Sequence, residues 1–152
     1  LLALTMARHF LGAPVEGKMT PTLWVHLAPL SVIPLSMLAL LKTTGDASLL
    51  RYGSLVAAAF LGAALWWLVL AVSMTIRNRR QGKLPFALSW WAFVFPIGAC
   101  SVLAYRVSEL LALEVLPLVA SGLTLLALFV WSATALGTVR GIRTGAIFAP
   151  AH

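Results

Sequence analysis

Hydrophobic positions along this chain fall into four long blocks, with polar residues gathered in short clusters between them. Residues 21–41, 53–76, 85–105 and 115–139 contain no Asp, Glu, Lys or Arg. A helix needs roughly 20 apolar residues to cross the hydrocarbon of a bilayer. With their flanking turns the blocks predict spanning helices over 21–41, 53–76, 85–107 and 114–139. The links are short and hold the turn formers and charges: Thr43-Thr44-Gly45-Asp46, Asn78-Arg79-Arg80-Gln81-Gly82, and Ser108-Glu109 to Glu114. Short links make successive helices antiparallel neighbours, so the expectation is all-α, with two hairpins. Residues 1–8 read as the last two turns of a preceding helix. The whole of 1–152 is then one transmembrane domain, the C-terminal part of a longer protein.

The four blocks are not equivalent. Pro29 and Pro34 lie inside the first and Pro96 inside the third. A proline in a helix interior removes a backbone hydrogen bond and clashes with the preceding turn, which bends the helix. Membrane helices carry such breaks where neighbouring protein or a cavity satisfies the freed backbone groups. The second block has no proline, and the fourth only Pro117 in its first turn. Small residues let helices approach closely, and these two blocks carry them as Ala58, Ala59, Gly62 and Ala63, and as Ala133 and Gly137, with Gly141 just beyond. The kinked helices are therefore expected to line a pathway, with the smoother pair as an outer wall. Trp24-x4-Pro29 recurs as Trp91-x4-Pro96, 67 residues on, a faint internal repeat.

Composition fixes the solvent. Hydrophobic residues make up 61% of the chain and charged residues 10%, against about a quarter charged in soluble domains. The net charge of +7 would suit nucleic acid, but the basic residues sit at block ends and form no continuous face. They set orientation instead. One side carries Arg8, Lys18, Arg77, Arg79, Arg80, Lys83, Arg140 and Arg143, and the other Lys42, Arg51 and Arg106. The first side, with the C-terminus, is expected in the cytoplasm.

Candidate chemistry is sparse. No nucleophile–base pair, phosphate loop or metal-ligand spacing is present, which points away from an enzyme and implies neither a metal nor a cofactor. Cys100, the only cysteine, reads as a small packing residue. At 100° per residue Phe95 shares a helix face with Ala92, Gly98, Ala99 and Val102. A large ring among small neighbours either packs into a groove of the next helix or fills a narrow lumen. Arg106, three turns further, either gives a vestibule a positive potential or snorkels to the interface. Ser31 and Ser101, on the kinked helices, could offer hydroxyls to an ion. His26 is the only histidine within a block, either neutral and hydrogen-bonded or, alternatively, the haem ligand of a membrane-anchor subunit in a redox complex.

Trp90-Trp91-Ala92-Phe93-Val94-Phe95-Pro96 and Leu27-Ala28-Pro29-Leu30-Ser31-Val32 together carry a family resemblance. Residues 21 to about 139 resemble the tellurite-resistance/dicarboxylate transporter family, which includes yeast malic-acid and sulfite transporters and plant slow anion channels. A second proline common after Ala-Pro in that family is Leu30 here. The resemblance implies ten helices in five hairpins around a quasi-five-fold axis, with kinked inner helices around a central pore. The four blocks would be helices seven to ten. It also implies a homotrimer in a plasma or bacterial inner membrane, a small anion as substrate, and a pore plugged by the signature phenylalanine, Phe95.

Overall fold

A computed structural model describes residues 20–82 and 86–145 of the chain. The expected helix end at 1–8, with Arg8, His9, Lys18, Lys83 and His152, lies outside them. Within them the chain is helical: α1 Thr20–Val25, α2 Leu27–Thr43, α3 Ala47–Arg80, a 3₁₀ turn Leu88–Trp90, α4 Trp91–Leu111 and α5 Leu116–Thr144. No strand occurs among the described residues. Four helical stretches, Leu23–Thr43, Ala47–Arg80, Leu88–Leu111 and Leu116–Thr144, are long and apolar enough to cross a membrane.

The first block is interrupted where its prolines dictate. Pro29 cannot donate to the Val25 carbonyl and crowds it, and the helix breaks at His26, between α1 and α2. Pro29 thus sits in the first turn of α2, where proline is tolerated, and Pro34 is the interior proline. Pro96 lies inside α4 and is buried, leaving the Ala92 carbonyl without its usual partner four residues on.

The third helix extends well beyond the charge-free window of 53–76. Asp46 caps it, its carboxylate accepting from the Ser48 and Leu49 amides at 2.8 and 3.2 Å and from the Ser48 hydroxyl at 2.6 Å. At the other end Arg77, Arg79 and Arg80 occupy the last turn, where cations complement the helix dipole. Its 34 residues span about 50 Å, so both ends reach past the hydrocarbon. Charge-free windows end where side chains begin to snorkel, which is inside the helix. α5 likewise continues past residue 139 to Thr144, ending at Gly145 with a φ of 72°.

α2 packs on α3 and α4 on α5, as hairpins, and α4 also packs against both helices of the first hairpin. α4 is therefore the centre of the core, burying Phe93, Ile97, Cys100, Leu103, Ala104 and Val107. On α3 the buried stripe runs through Gly53, Ala57, Leu61, Ala64, Leu68 and Ala71. Ala59, Gly62 and Ala63, expected to mediate close packing, lie on its exposed face instead. The close approach of α3 is instead served by other small residues, Gly53, Ala57, Ala64 and Ala71, on its buried face.

Indole hydrogen bonds clasp each hairpin. Trp67 Nε1 donates to the Leu23 carbonyl at 2.7 Å, in the last turn of α1, where carbonyls lack intrahelical partners. Asn78 Nδ2 donates to Thr20 Oγ1 at 2.6 Å. Trp24 Nε1 donates to Thr75 Oγ1 at 3.0 Å, and Trp91 Nε1 to Thr138 Oγ1 at 3.3 Å. The two tryptophans of the faint repeat thus make the same bond, each to a threonine near the end of its partner helix.

Candidate functional site

A groove of about 880 Å³ runs along the face of α4 opposite its buried proline. Val32 and Leu35 of α2 form one wall, and Thr124, Ala127, Leu128 and Trp131 of α5 the other. Val94, Phe95, Gly98, Ala99, Ser101 and Val102 of α4 form the floor. The fourth block was expected in an outer wall away from the pathway; here it borders the groove directly. Among the described residues α5 packs mainly on α4 and the 3₁₀ turn, so its groove-facing side stays open.

Phe95 is 65% exposed over this groove although it adjoins buried Pro96. The two residues are 100° apart on the helix, so the proline faces the core and the ring faces the open side. A Cβ added at Gly98 would meet nothing within 4 Å, so the space beside the ring is unfilled. Of the residues sharing the Phe95 face, Gly98, Ala99 and Val102 line the groove; Ala92, one turn back, does not.

The groove continues from Ser101, Val102 and Thr124 into a space of about 340 Å³ bordered by Tyr105, Arg106, Ala120 and Ser121. Three oxygens meet at the junction. The Ala120 carbonyl lies 2.9 Å from Ser101 Oγ and 2.9 Å from Thr124 Oγ1, and the two hydroxyls are 2.7 Å apart. Two hydroxyl protons serve three such contacts, so both are committed within the cluster. Ser121 is committed as well, donating to the Pro117 carbonyl at 2.8 Å. Ser101 therefore ties α4 to α5 and turns lone pairs, rather than a free proton, towards the groove.

The other expected site residues are divided. Ser31 is fully buried, donates to the Leu27 carbonyl at 3.0 Å and faces the Cys100 thiol, away from the groove. Pro29 and Pro34 shape α2 without lining the groove. Arg106 lies about 16 Å beyond Phe95 along α4 and pairs with Glu109 at 3.0 Å. His26 stands at the helix break with its ring 5.5 Å from that of Trp67. It is the only histidine among the described residues, and these hold no cluster of three His, Cys, Asp or Glu side chains fit for a metal ion.

Sequence reasoning missed Thr124 and Glu109 as parts of the site. Glu109 follows Arg106 by three residues, the spacing at which opposite charges meet on a helix, so that pairing was open to view. The bond from Ser101 across to α5 had no such local signal.

Four long apolar helices, three of them lining a groove, define a polytopic α-helical membrane protein. Residues 1–139 match the voltage-dependent anion channel (SLAC1) family, and the chain belongs to it. Two curated relatives, both named uncharacterized transporters and both from Methanocaldococcus jannaschii, are 30% and 29% identical over 148 residues. Each alignment covers 97% of this chain and 43% of the relative, so the chain spans less than half their length. No solved structure matches it.

Proposed function

We propose that the intact protein passes small anions across the membrane along the α4 groove, with Phe95 as the steric gate. The observation that carries this reading is the placement of Phe95. A large ring stands exposed beside the buried interior proline of the central helix, over an unfilled space beside Gly98. Swinging the ring about its χ1 bond would clear the groove without disturbing the buried Pro96 face. The groove and its continuation contain no carboxylate among their lining residues, and Arg106 supplies their one positive charge. An uncharged wall with a cation at one end favours anions by field and diameter rather than by tight coordination.

Inorganic anions, sulfite, tellurite and C4-dicarboxylates such as malate fit such a passage. It carries solutes without chemical change, so no enzymatic step is assigned. Family membership supports the larger assembly: ten helices in five hairpins, these four spans being the seventh to tenth, and a homotrimer. The basic residues support a cytoplasmic C-terminus in a plasma or bacterial inner membrane.

The test is Phe95→Ala in the intact protein, reconstituted into proteoliposomes. Anion flux should rise; a tenfold rise corresponds to about 1.4 kcal/mol taken off the barrier. Unchanged flux at equal protein density removes Phe95 as the gate.

A further inference from the structure

Arg106 stands between two spaces. It borders the hydroxyl-lined end of the groove beside Val102 and Thr124. It also borders a separate cavity of about 400 Å³, reached by Leu35 and Lys42 of α2 and by Glu109 of α4. Within that cavity two cations face one carboxylate. Arg106 Nη1 donates to Glu109 Oε2 at 3.0 Å, and the two side chains are 56% and 45% exposed. The serine and threonine hydroxyls nearby have their protons committed to the Ala120 and Pro117 carbonyls, and the Tyr105 phenol, also at this border, is uncharged. The charge that attracts an arriving anion at this border therefore belongs to a guanidinium that already holds a carboxylate.

We propose that Glu109 is a built-in counter-anion with which a transported anion competes for Arg106 at this mouth of the groove. The inference rests on the transport reading above and adds what sets the affinity of its mouth. A carboxylate and a small oxyanion compete for the same fork of N–H donors. The bond is suited to exchange because both partners remain partly in water. An exposed pair of this kind weakens a competitor by about 1.4- to 5-fold, the equivalent of about 0.2–1 kcal/mol. Lys42 keeps the cavity net positive while the pair is closed, so cations gain nothing there. Glu109 thus acts as a positioning residue for Arg106 and lowers anion affinity at the mouth without closing it.

The test measures chloride and malate flux against concentration in proteoliposomes of the intact protein, as wild type, Glu109→Gln, Arg106→Gln and the double variant. Glu109→Gln should lower the half-saturating concentration by about 1.4- to 5-fold with the maximal flux unchanged. In the Arg106→Gln background the same substitution should have no effect. A wild type that conducts but is indifferent to Glu109→Gln overturns this inference and leaves the transport reading standing. An equal shift with and without Arg106 also overturns it, because Glu109 would then act through the general field. A wild type that passes neither anion overturns both readings.

Discussion

Replacing Trp67 with Phe removes one hydrogen-bond donor from the break in the first span. The indole N–H lies 2.7 Å from the Leu23 carbonyl, and Trp67 is only 2% exposed. Phenylalanine retains most of the apolar ring and leaves that carbonyl facing a space without a donor. Interhelical hydrogen bonds in membrane proteins average about 0.6 kcal/mol, because the separated helices find other partners. A buried group stripped of its partner costs more, about 1–3 kcal/mol. The larger range applies here, since the Leu23 carbonyl belongs to a helix end that Pro29 fixes in place. The lost ring volume adds in the same direction. Trp66, the adjacent residue, is 50% exposed on another face, and Trp66→Phe should stay within about 0.5 kcal/mol of wild type. Reversible unfolding of the intact protein in mixed micelles, titrated with SDS, measures both variants. Equal stability of the two would refute the view that the indole holds the break together.

Two further predictions concern single local devices. The Ser48 hydroxyl, and then the Leu49 and Ser48 amides, hold the Asp46 carboxyl below its ordinary value of 3.8. A depressed folded value gives stabilisation that is complete well above the unfolded value and lost as pH falls through the folded one. Exchange protection of the Ser48 and Leu49 amides should therefore persist at neutral pH, fade below 3.8, and be absent at every pH in Asp46→Ala. At Gly137, an added Cβ would fall 2.7 and 2.8 Å from Cζ and Cδ2 of the Phe86 ring. Gly137→Ala should cost about 1–3 kcal/mol and Phe86→Ala should relieve it in the double variant; a neutral Gly137→Ala would show that the ring simply moves aside.

The four spans were legible because charge-free length is a strong signal and needs no knowledge of neighbours. Their ends were less so. The third helix runs from Ala47 to Arg80 because Arg51, Arg77 and Arg79 stay helical while their heads reach water. The bend in the first span could be anticipated from Pro29, but its place at His26 follows from the clash with a carbonyl four residues earlier. The open face of Phe95 followed from helical periodicity, with Ala92 one turn too far back. Ser31 and Ser101 looked alike in sequence, each on a kinked helix. One is buried against Cys100 and the other bonds across to α5. That difference depends on which helix lies opposite, which no local pattern records.

The indole clasps have a mechanical consequence. The polar bonds from Trp24, Trp67, Asn78, Trp91 and Ser101 each join two helices of one hairpin, while the contact of Ser31 with the Cys100 thiol crosses between hairpins. The seam between the hairpins is made largely of side chains that do not require one alignment, such as the edge-to-face pair of Trp24 and Phe93 at 5.2 Å. Hydrogen bonds are directional, whereas apolar contact tolerates sliding. Each hairpin is thus held by more directional bonds within itself than those described against its neighbour. A shear of one hairpin past the other would change the width of the groove between α2 and α4 while every clasp stayed shut.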